Sequence, residues 1–212
     1  MRYIEKTTSP DFFEHEKVNL TEDSSWKDLH CKTDLRLYLI KEQKELCAYC
    51  ERKIDENNSH IEHIYAQSDN PKLRFEHNNL VASCNGDQYQ ADLKNDYDPE
   101  DINSCGHKKS NEMDENLFLN PIQNWDIEEY FLYNKGNCSI IPSMKDEKKS
   151  NYTIKLLNLD NPKLNNERSN ARIGLEQAIK NKRLNPKNDL KKLLSKDRPF
   201  ISFLKYYYSA FL

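Results

Sequence analysis

The chain has 212 residues, enough for one domain with a sizeable core or a small domain with a helical extension. It has 32% charged residues and only four glycines, which argues against a glycine-rich phosphate loop of the Walker or dinucleotide type. No run approaches the roughly 18 apolar residues of a membrane helix and no apolar run follows a basic start, so the expectation is a cytoplasmic protein without a signal peptide. The formal net charge of −3 hides an asymmetry. Residues 161–212 carry twelve Lys and Arg against four Asp and Glu, whereas residues 1–160 carry twenty against thirty-one. Two readings of the basic tail stay open, an anionic partner and a solvated lysine-rich helix surface.

Taken in chain order, Trp26, Leu29, Thr33, Leu37 and Ile40 recur at helical spacing behind Ser25, and predict one amphipathic helix over Trp26–Leu46. Ser59–Tyr65 alternates too briefly for a helix and reads as a strand. Pro71–Cys84 reads as a loop leading into a short ordered segment, and His77 within it as solvated. Residues 85–104 are polar and acidic, an insertion between Cys84 and Cys105. Ile127–Ser143 reads as a hairpin turning at Asn134-Lys135-Gly136, and Tyr152–Leu159 as a further strand. Asn166–Arg183, Asp189–Ser195 and Phe200–Phe211 read as helices. The last carries an aromatic stripe, Phe200, Phe203, Leu204, Tyr207 and Phe211, which suits a core or a protein-docking surface better than a cofactor site. No internal repeat is visible.

Six cysteines occur. In a reducing compartment, paired cysteines read as metal ligands before disulfides. Cys47-Ala-Tyr-Cys50 has the spacing of a tight turn whose two thiolates reach one ion. Zinc takes four such ligands in a tetrahedron, and Cys84 and Cys105 are the natural second pair. A twenty-residue excursion is tolerable because loop-closure cost grows slowly with length. Cys31 and Cys138 read as small buried residues.

Between the two cysteine pairs lies His60-Ile61-Glu62-His63. On a strand, His60 and Glu62 share one face and His63 takes the other. A carboxylate suits Mg2+ or Mn2+, and a neutral imidazole is a good base near pH 7. Phosphodiester hydrolysis needs both.

The order of parts, Cys47-x-x-Cys50, "EHIYAQS" from Glu62, "NNLVASC" ending at Cys84 and "CGHKKSN" from Cys105, resembles the HNH (ββα-metal) endonucleases with zinc knuckles. With the flanking "EQKELCAYCERKI" and "LFLNP…YFLYNKG…TIKLLNLD" the chain is similar to the PtuB type of Septu and retron-linked anti-phage systems. The resemblance implies an α+β fold. A zinc-stapled core at 47–115 would lie between an N-terminal helical segment at 1–46 and a partner-binding hairpin-plus-helices extension at 116–212. It further implies His63 as general base, Glu62 and His107 as ligands of a catalytic Mg2+ or Mn2+, and Asn79 holding the loop or the His63 ring. Structural zinc would sit on Cys47, Cys50, Cys84 and Cys105. Lys108, Lys109 and Arg74 are expected phosphate contacts. Ala66 stands where the family has proline, and Gly106 where its last ligand often stands, so Asn111 remains an alternative to His107. The implied substrate is DNA, with RNA such as tRNA as the alternative. The implied partners are a PtuA-type ATPase, docking on the aromatic terminal helix, and a retron reverse transcriptase with its RNA-DNA product. The competing reading is a zinc-stabilised binding module without catalysis.

Overall fold

The computed structural model describes residues 1–87, 97–109, 111, 113–181 and 186–212. It is a mixed α/β protein built on two small antiparallel hairpins. The first joins β1 (Ser59–His63) to β2 (Leu80–Cys84), with Ser59 opposite Cys84 and His63 opposite Leu80. Helices α1 (Asp11–Lys17) and α2 (Lys32–Glu42) precede it, α2 packing across both strands, while α3 (Pro99–Ile102) and α4 (Cys105–Lys109) follow. The second hairpin, β3 (Phe131–Tyr133) with β4 (Ile140–Pro142), leads into α5 (Glu147–Leu156), α6 (Pro162–Asn181), α7 (Pro186–Leu194) and α8 (Ile201–Tyr207).

The expected long helix from Trp26 is broken. Ser25 caps only a 3-10 turn, Trp26–Asp28, through a reciprocal box with Asp28. Leu29 then turns extended and is fully buried. The Glu16 carboxylate of α1 accepts the backbone N–H groups of His30 and Cys31 (2.9 Å to Cys31) and so starts α2 afresh. Burial of Leu29 thus overrides a periodicity that would run straight on.

Tyr152–Leu159, expected as a strand, lies mostly in α5. Asp146 caps that helix by accepting Lys149 N–H at 3.0 Å. Ser150, Thr153, Ile154 and Leu157 then fall on one buried face at spacing three and four. The β-branched pair Thr153-Ile154 favoured strand locally, but the cap lies upstream of the segment that carried that signal. His77, expected in solvent, is buried, with Nε2 3.5 Å from Glu42 Oε1.

The terminal aromatic stripe is core rather than a free docking surface. Phe200, Phe203, Leu204 and Tyr208 are buried, Tyr133 of β3 packs edge-on to Phe203, Tyr207 is half-buried, and Phe211 at the end of the stripe is exposed. Phe200 sits at φ +57° and α8 starts with no cap of its own. Glu51 supplies one, its carboxylate accepting Ser202 N–H at 2.8 Å and its carbonyl accepting Phe200 N–H at 3.0 Å. Because Glu51 directly follows Cys50, the C-terminal helix is clamped onto the cysteine turn.

The excursion from Cys84 to Cys105 is closed at its neck, although residues 88–96 within it lie outside the described residues. Gly86 (φ +59°) lies so close to Ser104 that a Cβ would come within 2.1 Å of the Ser104 carbonyl oxygen. The Gly86 carbonyl accepts Ser104 N–H at 2.9 Å. Asp87, beside it, takes Arg52 at 2.9 Å and Lys163 of α6 at 2.6 Å, and Arg52 reaches Glu167 at 2.8 Å. This charge cluster fastens α6 to the neck. Among the described residues, no helix is long and apolar enough to cross a membrane.

Candidate active site and metal centre

Four cysteines from three places converge. Cys47 and Cys50 come from the turn before β1, where Leu46 bridges to Lys53 and Glu51 takes φ +64°. Cys84 ends β2, and Cys105 opens α4 at φ +63°. All are buried, and their sulfurs lie within 4.8 Å of one another, with Cys50 Sγ 3.7 Å from Cys84 Sγ. A tetrahedral zinc with bonds of about 2.3 Å sets its sulfurs about 3.8 Å apart, so the set fits zinc. Burial opposes charge on Cys47, yet hydrogen bonds from Cys105, Cys50 and Cys84 hold it well below the usual thiol range. Burial pushes Cys50 up, and the bond to Cys47 pushes Cys105 up. Four buried sulfurs set this close together are a group that a cation would complete. Bound there, zinc would tie the first turn, β2 and α4 together and supply folding energy. Cys31 and Cys138 stand outside this set.

A second cluster forms where α4 crosses β1. His60 and Glu62 lie on one face of β1, with His60 Nε2 3.5 Å from Glu62 Oε2, and the His60 ring lies 4.1 Å from the His107 ring. His60 is therefore brought to the Glu62–His107 pair, a place that strand alternation made legible. Gly106 lets α4 approach: a Cβ there would come within 2.7 Å of Glu62 Oε2 and 2.9 Å of His60 Nε2. His60 Nδ1 is buried without a hydrogen-bond partner. Two imidazoles and a carboxylate are the donor types a divalent ion takes, grouped here over the bare Cα of Gly106. These side chains are not drawn together as tightly as the cysteines, and the second Glu62 oxygen is taken by Lys109. Asn111, the alternative to His107, lies in an exposed turn.

Lys109, expected on phosphate, is buried. Its ammonium lies 3.0 Å from Glu62 Oε1 and donates to the carbonyls of His63 (3.0 Å) and Ile64 (2.9 Å). It braces the end of β1. Burial works against the Glu62 charge, but His60 and Lys109 hold its carboxyl below the usual carboxylate range. Lys108 is exposed.

His63 takes the opposite face. Its Nε2 lies 3.0 Å from the Arg74 carbonyl oxygen, and since a carbonyl only accepts, Nε2 carries the proton and Nδ1 the lone pair. Burial holds its protonated form down, moving the pKa below the ordinary histidine value, with the Arg74 carbonyl acting the other way. Trp26 packs edge-on against the ring with centroids 4.5 Å apart. Sequence spacing carried no sign of that contact, since Trp26 lies far upstream of the hairpin.

Asn79 is buried and clamps the loop between β1 and β2. Its Oδ1 accepts Tyr65 N–H at 2.8 Å, and its Nδ2 donates to the carbonyls of Tyr65 (3.1 Å) and Leu73 (3.0 Å). Leu73 adjoins Arg74, so Asn79 holds the segment whose carbonyl holds His63. The half-buried Arg74 guanidinium donates to the carbonyls of Glu22 (2.9 Å), Ser24 and Gln67 (3.4 Å).

No family model matches the chain. Over 131 residues it is 30% identical to a protein of Vibrio cholerae serotype O1 biovar El Tor described as "Retron Vc95 putative HNH endonuclease". The matched stretch is 59% of this chain and spans 57% of that relative's length. The chain thus matches a little over half of that relative's length, and its own cysteine cluster could hold a metal ion.

Proposed function

We propose that this chain is an HNH endonuclease that hydrolyses nucleic-acid phosphodiester bonds with a divalent metal. One observation carries the reading: the end of β1 holds Glu62, grouped with the His60 and His107 imidazoles on one face, and next to it in sequence His63, on the other face with its proton held on Nε2, so that a phosphodiester laid across the strand end would meet both. Nδ1 of His63 takes the proton of a water that attacks phosphorus in line, and the leaving 3′ oxygen departs on the opposite side. Glu62 and His107, with His60 beside them, would hold Mg2+ or Mn2+, which supplies positive charge against the charge that develops on the leaving oxygen. Asn79 keeps the Arg74 carbonyl in place and so holds the base through each turnover. Cys47, Cys50, Cys84 and Cys105 would hold a zinc that staples the fold and takes no part in the chemistry.

DNA is the favoured substrate and a structured RNA such as tRNA the alternative. Residues 1–160 carry an excess of acidic groups, which works against strong unaided binding to phosphate. A PtuA-type ATPase would supply that engagement. The chain would then act in an anti-phage effector assembly with a reverse transcriptase and its RNA-DNA product, a reading that comes from the sequence resemblance and agrees with the word retron in the name of the relative. The test offers labelled plasmid and labelled tRNA to one preparation, with and without the ATPase, in Mn2+ or Mg2+. Cleavage of either that vanishes on adding a chelator supports the reading, and the substrate that is cut decides between DNA and RNA. Metal-independent cleavage, or none with every partner present, contradicts it.

A further inference from the structure

The base His63 is held from two sides, and both trace to one residue. On one side the Arg74 carbonyl accepts Nε2–H. On the other, the indole of Trp26 lies edge-on to the ring at 78°. Trp26 belongs to the N-terminal segment, well away from β1 in sequence, and something must deliver it. The Arg74 guanidinium does so by gripping the Glu22 and Ser24 carbonyls just ahead of Trp26. Phe75, the residue after Arg74, stacks on the same indole with centroids 5.9 Å apart at 19°. The dipeptide Arg74-Phe75 therefore fixes the histidine directly and fixes the tryptophan that confines it.

We propose that Arg74 and Trp26 are positioning residues for His63, and that the N-terminal segment completes the site. The proposal rests on His63 being the base. A guanidinium already committed to three backbone carbonyls has few donors left for phosphate, so its role is internal. A ring held by one hydrogen bond alone would still rock about it. The indole limits that motion and keeps Nδ1 aimed at one point, and small losses of aim are costly to a base.

The experiment pairs kinetics with NMR of the His63 side chain, in the full chain with zinc bound, for Arg74→Gln, Arg74→Lys, Trp26→Leu and Trp26→Phe. The wild-type Nε2–H proton is expected to be visible and slow to exchange with water. Arg74→Gln and Trp26→Leu should lose that signal and lower kcat about tenfold or more, with KM and zinc content unchanged. Trp26→Phe should recover most of both. Arg74→Lys should recover little, because an ammonium cannot span three carbonyls. If instead Arg74→Gln raises KM and flattens the salt dependence while the Nε2–H signal and kcat persist, Arg74 is a phosphate contact and the proposal is overturned. It is equally overturned if folded Trp26→Leu, with normal zinc content, keeps the protected proton. Should the wild type show no nuclease activity, the function proposed above fails, while the proton signal still decides whether Arg74 and Trp26 hold the ring.

Discussion

Glu62 lies against the bare Cα of Gly106, so close that a methyl group there would come within 2.7 Å of its carboxylate oxygen. The atoms in the way are ends of side chains, Glu62 Oε2 and His60 Nε2, which can move while the backbone stays. Gly106→Ala should therefore fold, and alanine in helix α4 is if anything favoured locally. What it displaces is the carboxylate and imidazole themselves. We expect the cooperative melt and the zinc to be kept, with a smaller loss of melting temperature than on removing Lys109, while Mn2+ affinity, read by calorimetry, falls about 10–100-fold. Unchanged affinity would remove Gly106 from the metal site.

Lys109 gives the opposite signature. Replacing it with Met leaves Glu62 without its counter-charge and the His63 and Ile64 carbonyls without their donor. Breaking a buried pair by removing one partner costs about 3 kcal/mol or more. For a chain of this size each kcal/mol lowers the melting temperature by about 2–4 °C, so thermal denaturation should show a large drop. A lysine serving phosphate would leave the melt unchanged and weaken binding instead.

His63 sets a pH dependence. Its folded-state pKa is depressed by burial, so the neutral, basic form should persist below the ordinary histidine value of about 6.5. The acid limb of kcat/KM should inflect below that value. The same shift links to stability: the contribution is present above the unfolded pKa and is lost as pH falls through the lowered folded pKa. Denaturant titrations over pH 5–8, comparing wild type with His63→Gln, should show a slope near the acid end that the variant lacks.

Zinc is predicted at one ion per chain by metal analysis. Cys50→Ser should lose the metal and the cooperative melt, because one ion would hold Cys84 and Cys105 together with the turn that anchors α8. Cys31→Ser and Cys138→Ser should keep the metal in full. Retention of zinc by Cys50→Ser would remove the staple.

Much of this site is legible in the sequence because its donors cluster by spacing. Cys47 and Cys50 declare themselves, and alternation along β1 places His60 with Glu62 and apart from His63. The contacts that need the third dimension stay hidden. Lys109 looks like a surface cation beside His107 until α4 turns it under β1, and Arg74 looks free until the 22–24 segment folds over it. Secondary structure misleads where a distant group decides it. Glu16 restarts α2, and Asp146 begins α5 ahead of its β-branched residues, whereas the terminal helix is legible from its own residues although Glu51 caps it from afar.

The central claim is that His63 drives metal-dependent cleavage, and the most direct test is the single-turnover rate. It should be measured in Mn2+ with the ATPase present, comparing wild type with His63→Ala at matched zinc content. Loss of a positioned base should slow the reaction about 10²–10⁴-fold while binding is kept, leaving wild-type products with 5′-phosphate and 3′-hydroxyl ends. Equal rates for the two proteins would contradict it.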